Sequence, residues 1–266
     1  MKDISPANAK EIMLDILEDI ASFCDNKSLT YFLAYGTLIG AIRHKGFIPW
    51  DDDIDIIMPR EDYNRFIKTY QTAGKYKLLI PEDKQSFYVW TKAYDSTTIK
   101  YEEGVDYTIF SPIGIDIDIF PLDGLPSDKN MLRYKLETNY RNFIFRLLKN
   151  AITSLSIRTY KGRLLAFFCR AIGIQRLKNA YIRSASRYAY QDSSIVGFCD
   201  PYAWRKYGDR HPKHIFTDKI KVLFEGKLFW APVGYDEYLS NIYGNYMQLP
   251  EQQHQITHHK NQLFWK

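Results

Sequence analysis

The stretch YGTLIGAIRHKGFIPWDDDIDIIMPR, residues 35–60, sets Asp51, Asp52, Asp53 and Asp55 at the edge of a run of isoleucines. Ile54, Ile56 and Ile57 ask for burial, whereas clustered carboxylates repel one another and aspartate is depleted in strands. In a strand alternate side chains share a face, so the spacing predicts Asp51, Asp53 and Asp55 on one side and Ile54 and Ile56 in a core. Same-face neighbours stand roughly 7 Å apart along a strand, close enough to converge on one cation. Aspartates at strand ends also form turns and caps, so a single D-x-D carries little weight.

A second copy shifts that balance. IGIDIDIF, residues 113–120, puts Asp116 and Asp118 on one face and Ile115, Ile117 and Ile119 on the other, with Pro121 expected to stop the strand. If the two strands are neighbours, their carboxylates form an oxygen cage suited to Mg²⁺ or Mn²⁺, ions that complete their shells with water and phosphate oxygens. A calcium loop is excluded, because its sixth position must be Gly and Ile56 stands there.

Upstream, YFLAY (31–35) reads as a short buried strand and TLIGAIRH (37–44) as a helix opening just after Gly36. Gly36 and Thr37 then offer free backbone N–H groups and a hydroxyl at a positive helix terminus, a natural phosphate cradle, with Arg43, His44 and Lys45 following closely. A cradle followed by a cation cage describes chemistry on a phosphoanhydride. Residues 5–25 form an amphipathic helix announced by Ser5 and Pro6, and Ile12, Ile16, Leu17, Ile20 and Phe23 make its apolar stripe. Helix 61–70 and strands at 76–80, 87–94 and 97–102 follow, and a hairpin about Glu225-Gly226 and a helix over 235–244 come late in the chain.

Between Ser127 and Tyr190 the texture turns helical and basic, with 14 Lys/Arg against 2 Asp/Glu, a local charge of +12. The whole chain carries +5, so the remainder is acidic at −7. Such segregation predicts an acidic part that holds a cation and a basic part that meets phosphates or an anionic membrane surface. Two apolar rows run through the block: Leu132, Leu136, Tyr140, Phe143 and Leu147, then Tyr160, Leu164, Phe167, Phe168 and Ala171 beside Lys161, Arg163 and Arg170. Their period fits a helix packed on the core as well as one lying in a membrane interface. With 266 residues and 45% hydrophobic content the chain can build a large core. It shows no apolar leader and no run of the ~18–20 residues a membrane span needs. Cys24, Cys169 and Cys199, odd in number and widely spaced, argue against a disulfide framework or zinc site and for a reducing, cytoplasmic compartment, with peripheral contact at the cytoplasmic face of the membrane.

YGTLIGAIRHKGFIPWDDDIDI, GIDIDIFPLDGLP and the late YGNYMQLPEQQHQITHH closely resemble the LicD family of phosphorylcholine transferases, related to fukutin-type ribitol-phosphate transferases. The resemblance covers nearly the whole chain. It implies an α/β (α+β) fold, a nucleotidyltransferase-like mixed sheet core flanked by helices; the change of texture along the chain assigns that core to 1–126 and 191–266 and makes 127–190 a basic helical insertion. The resemblance also implies a CDP-alcohol donor such as CDP-choline and a glycan or lipid-linked glycan acceptor. Residue by residue, Gly36 and Thr37 match the phosphate-binding turn and Asp53 and Asp55 the paired metal ligands. The third ligand falls on Asp118, with Asp116 in reserve. Asp51 matches a substrate or supporting position, Lys92 a basic position facing the phosphates, and His258 a carboxy-terminal histidine. Asn245 and Gln255 depart from the family's pattern.

The expected reaction is metal-dependent transfer of phosphocholine to a glycan hydroxyl with release of CMP. The competing readings are another CDP-activated alcohol (ribitol, glycerol, ethanolamine), a UDP-sugar glycosyltransferase, and a non-catalytic assembly protein at the membrane. Nucleic-acid binding is not expected.

Overall fold

The two D-x-D segments become neighbouring strands at the centre of a mixed sheet. A computed structural model describes residues 2–70, 74–153, 159–199, 209–257 and 261–266. In chain order the elements are β1 (Lys2–Asp3), α1 (Pro6–Asn26), β2 (Phe32–Leu33) and α2 (Tyr35–Ile39), the last continued by a π-helical turn over Gly40–His44. Then come β3 (Asp55–Pro59), α3 (Arg60–Thr69), β4 (Tyr76–Leu79), β5 (Thr91–Asp95), β6 (Thr98–Tyr101) and β7 (Asp116–Leu125). Three helices follow, α4 (Met131–Ile152), α5 (Tyr160–Ile172) and α6 (Ile174–Ala185). The chain continues through β8 (Ile195–Gly197), β9 (His211–Pro212), the hairpin β10 (Lys219–Phe224) and β11 (Lys227–Pro232), α7 (Tyr235–Tyr243) and β12 (Gln262–Trp265).

The main sheet runs β2-β3-β7-β5-β4, with β8 added to the far half of β7 and β9 beyond it. Only β3 and β7 are parallel; the other pairings are antiparallel. A small sheet β1-β12-β6 ties the two chain ends together. Helix α1 starts where Ser5 accepts the Asn8 N–H at 3.2 Å and Pro6 sits in the first turn. Its buried row of Ile12, Ile16, Leu17 and Ile20 packs over β5 and β7. Ile54, Ile56 and Ile57 are buried from one strand, and Ile115, Ile117 and Ile119 from or beside the next.

Pro121 does not stop its strand. β7 continues through it to Leu125, for a reason found in the neighbours. The Asp118 N–H donates to the Ile54 carbonyl at 2.9 Å, so alternation turns the Pro121 nitrogen away from β3. On that side pairing with β5 ends at Ile119 and pairing with β8 begins at Asp123. The missing N–H falls in the gap between two partners.

A second difference concerns the acidic segment. Only Asp55 lies in β3, because a turn in which the Asp51 N–H donates to the Ile48 carbonyl precedes it, leaving Asp51 and Asp53 on the approach. A third concerns the apolar rows of α4 and α5, whose larger members face solvent rather than the core. What α4 and α6 bury is a different set, Ile144, Phe145, Leu148, Leu177 and Tyr181, joined to the common core. Arg170 is turned inward, pairing with Asp106 at 2.7 Å and donating to the Ala151 carbonyl. The three cysteines are free and buried, and among the described residues no helix is long and apolar enough to cross a membrane.

Candidate active site

The strand register brings the charged residues together. Asp55 stands opposite Asp118 across the parallel pair, and Lys92 stands opposite Asp118 on the other flank, so the three form one row across β3, β7 and β5. Adjacent strands are ~4.8 Å apart, which makes these side chains immediate neighbours. The Lys92 ammonium lies 2.6 Å from Asp118 and 2.7 Å from Asp116, two positions along the same face. Lys100, from the small sheet, pairs with the other oxygen of Asp116 and sits 3.1 Å from Glu102. The Trp90 indole N–H donates to Asp118 at 2.8 Å.

These contacts separate the two aspartates of IDID. Burial alone would raise both carboxyls. For Asp116, Lys100 and Lys92 outweigh burial and hold its pKa below the usual carboxylate value. Asp118 stays raised, since burial and the adjacent Asp116 exceed what Lys92 and Lys100 return. Asp55 is pushed well above its ordinary value by burial and then by Asp53, Asp118 and Asp51. Asp51 is pushed to about 8 by burial and by Asp53. Asp116 is thus held ionised by two protein cations, whereas around Asp55 and Asp118 the carboxyls outnumber the cations, which favours their protonated forms until a further positive charge joins them.

Asp51 folds onto the glycine-threonine turn. A Cβ at Gly36 would collide with an Asp51 carboxylate oxygen, so with any larger residue there the Asp51 side chain would have to swing off the turn. Tyr35 enters the helix with φ 46°, a left-handed conformation uncommon for a residue with a side chain, and its hydroxyl is bonded to buried Asp209, which also meets His211 at 2.7 Å. Thr37 is buried, and its hydroxyl accepts the Asp55 N–H at 2.8 Å, fastening the turn to the start of β3.

A cavity of about 630 Å³ opens over this row. Asp51, Asp52 and Asp53, Lys92, Asp116 and Asp118 line it, together with Phe87, Tyr88 and Trp90, Lys10 and Met13 of α1, and Phe145 and Lys149 of α4. Gly36, Thr37 and Asp55 stand behind Asp51 and Asp118 rather than among its lining residues, and Arg43 and Lys45 are absent from the lining as well. The π-helical turn carries Arg43 to the carbonyls of Tyr246 and Gln248, and Lys45, with φ 61°, bonds the Ile42 carbonyl and receives the Glu225 N–H. His258 lies outside the described residues. The cavity residues that sequence reasoning missed, Lys10, Tyr88, Trp90, Lys100 and Glu102, come from three separate stretches of the chain. Only a charged residue inside the β-rich TTIKYE hinted at Lys100.

Among the described residues no three carboxylates, imidazoles or thiolates are already gathered at ligand spacing. The donor set nonetheless fits a hard divalent cation in kind. It offers carboxylate oxygens only, from Asp53, Asp55 and Asp118, beside a cavity with room for water and phosphate oxygens.

The mixed sheet and its acidic row define a nucleotidyltransferase-like domain. A family model described as LicD/FKTN/FKRP, nucleotidyltransferase domain, matches residues 28–167, and the chain belongs to this transferase family. The lipopolysaccharide cholinephosphotransferase LicD of Haemophilus influenzae is 31% identical to it over 273 residues, covering 99% of each chain. An uncharacterized protein of Rickettsia typhi is 37% identical over 54 residues, 20% of this chain and 18% of its own.

Proposed function

We propose that the protein transfers phosphocholine from CDP-choline to a hydroxyl of a cell-surface glycan or its lipid-linked precursor. The observation that carries this reading is that Asp118 and Lys92, in register with Asp55, line together with Asp51 and Asp53 a cavity large enough for a nucleotide. Its support in sequence is the full-length likeness to a cholinephosphotransferase.

In the reaction the acceptor oxygen forms a bond to the phosphorus that carries choline. The bond from that phosphorus to the bridging oxygen breaks, CMP leaves, and the hydroxyl proton passes to a carboxylate of the row. Asp53, Asp55 and Asp118 would hold Mg²⁺ or Mn²⁺, which supplies charge neutralisation at the phosphoryl oxygens. The Gly36–Thr37 turn presents its N–H groups to a phosphate, and Lys92 balances charge beside Asp118. Positioning and electrostatics suffice for such a transfer, so no nucleophilic Ser or Cys is required.

The wall of Phe87, Tyr88 and Trp90 suits a quaternary ammonium, which binds aromatic faces. Tyr88 already takes a cation, with the Lys92 ammonium 4.5 Å from its ring centre. Trp90 is one hydrogen bond from Asp118, which sets the aromatic wall beside the phosphate-facing row.

The test is to present CDP-choline, CDP-ethanolamine, CDP-ribitol, CDP-glycerol and a UDP-sugar in turn with Mg²⁺, and to read melting temperature and CMP release. CDP-choline is expected to stabilise most and to yield CMP when acceptor is added. Preference for another CDP-alcohol would change the alcohol alone, and response only to the UDP-sugar would overturn the reading.

A further inference from the structure

Helices α4 and α5 turn large apolar side chains to solvent. On α4, Leu132 is 73% exposed and Phe143 56%; on α5, Tyr160 is 83% exposed, Phe167 67% and Phe168 58%. The opposite faces, with Ile144, Phe145 and Leu148 on one helix and Ala166 and Cys169 on the other, are buried. The outer rows are therefore not core that failed to pack, but a second apolar surface that folding leaves uncovered. An exposed surface of this kind marks an interaction site.

Charge indicates what covers it. Helix α5 carries Lys161 and Arg163 at exposed positions and no acidic residue, its third cation, Arg170, being turned inward onto Asp106. Helix α4 has a single carboxylate, Glu137, already paired with Arg133 at 3.2 Å and with Arg187 at 3.0 Å. A second copy of this face would oppose cation to cation. An anionic bilayer meets both features, since aromatic and leucine side chains enter the headgroup boundary while Lys and Arg reach lipid phosphates.

We propose that α4 and α5 dock the protein on the surface of an anionic bilayer, lying in the plane of the interface with Phe167 and Phe168 inserted. The inner side of α4 lines the cavity over the acidic row through Phe145, Lys149 and Ile152. Docking therefore holds that cavity beside the headgroups, where a lipid-linked acceptor presents its hydroxyl. The docking itself is independent of which donor the cavity takes.

Flotation of the full chain with vesicles tests this without any substrate. The unmutated protein should float with phosphatidylcholine vesicles containing phosphatidylglycerol, float far less with phosphatidylcholine alone, and detach as salt is raised. The pairs Phe167→Ser/Phe168→Ser and Lys161→Glu/Arg163→Glu, all at exposed positions, should each lower the bound fraction about tenfold or more with an unchanged melting temperature. No flotation with anionic vesicles at low salt, or flotation indifferent to both pairs, would overturn the proposal. A concentration-dependent dimer that Phe167→Ser/Phe168→Ser dissociates, with no flotation, would assign the face to a second copy and overturn it equally.

Discussion

Asp55 and Asp118 stand directly opposite each other on parallel strands, and neither has the two lysine partners that neutralise Asp116. Two half-buried carboxylates in adjacent strands raise each other's pKa and favour the arrival of a further positive charge. Asp116, on the same face as Asp118, is instead built into an ion-paired cluster with Lys92 and Lys100.

The first expectation follows from that contrast. Asp55→Asn and Asp118→Asn should each lower transfer by about 10²-fold or more, because in the proposed reaction charge neutralisation at the phosphoryl group depends on the cation they would hold. Metal-free Asp55→Asn should be as stable as the parent or more so, having lost a carboxyl crowded by Asp53, Asp118 and Asp51. Mg²⁺ should raise the melting temperature of the parent and leave Asp55→Asn unmoved. Full activity of Asp55→Asn in excess Mg²⁺ would remove Asp55 from the site.

Lys92 should behave in the opposite sense. Lys92→Met leaves Asp116 with Lys100 alone and Asp118 with the Trp90 indole, and breaking a buried pair on one side costs about 3–5 kcal/mol. Urea unfolding is the measurement. A loss under about 1 kcal/mol, within the range of an exposed ion pair, would show that the cluster is hydrated and contributes little.

Lys178 supplies a pH-dependent expectation away from the site. Fully buried on α6, it donates to the carbonyls of Asp83, at 3.0 Å, and Ser86. Burial lowers its pKa from 10.5 to about 8, against the pull of Asp83 and Glu82. Between those values the unfolded chain binds a proton that the folded protein has released, so stability rises with pH across the window. Compared with Lys178→Met, in which every other titration is shared, the parent should gain stability between pH 8 and 10.5. A difference that stays flat across that range in unfolding titrations would contradict the lowered pKa.

The sequence by itself determined the local pieces. Ser5, Pro6 and the spacing of Ile12, Ile16 and Ile20 define α1, and the alternation in IDID defines the buried and polar faces of β7. Those signals are local, since cap, turn and period are properties of neighbouring residues. The difference in surroundings between Asp116 and Asp118 was not local. It depended on the register of β5 against β7, which sets Lys92 between them, and on Lys100 arriving from another sheet. Pro121 was misread for the same reason, because whether a strand tolerates a missing N–H depends on which partner faces that nitrogen. Arg43 and Lys45 follow Gly36 and Thr37 closely in sequence, yet one π-helical turn and one left-handed residue direct them elsewhere. The apolar rows of α4 and α5 carry the same limit: a period shows that a helix has an apolar face, and only the packing of the other helices and strands decides whether the protein covers it.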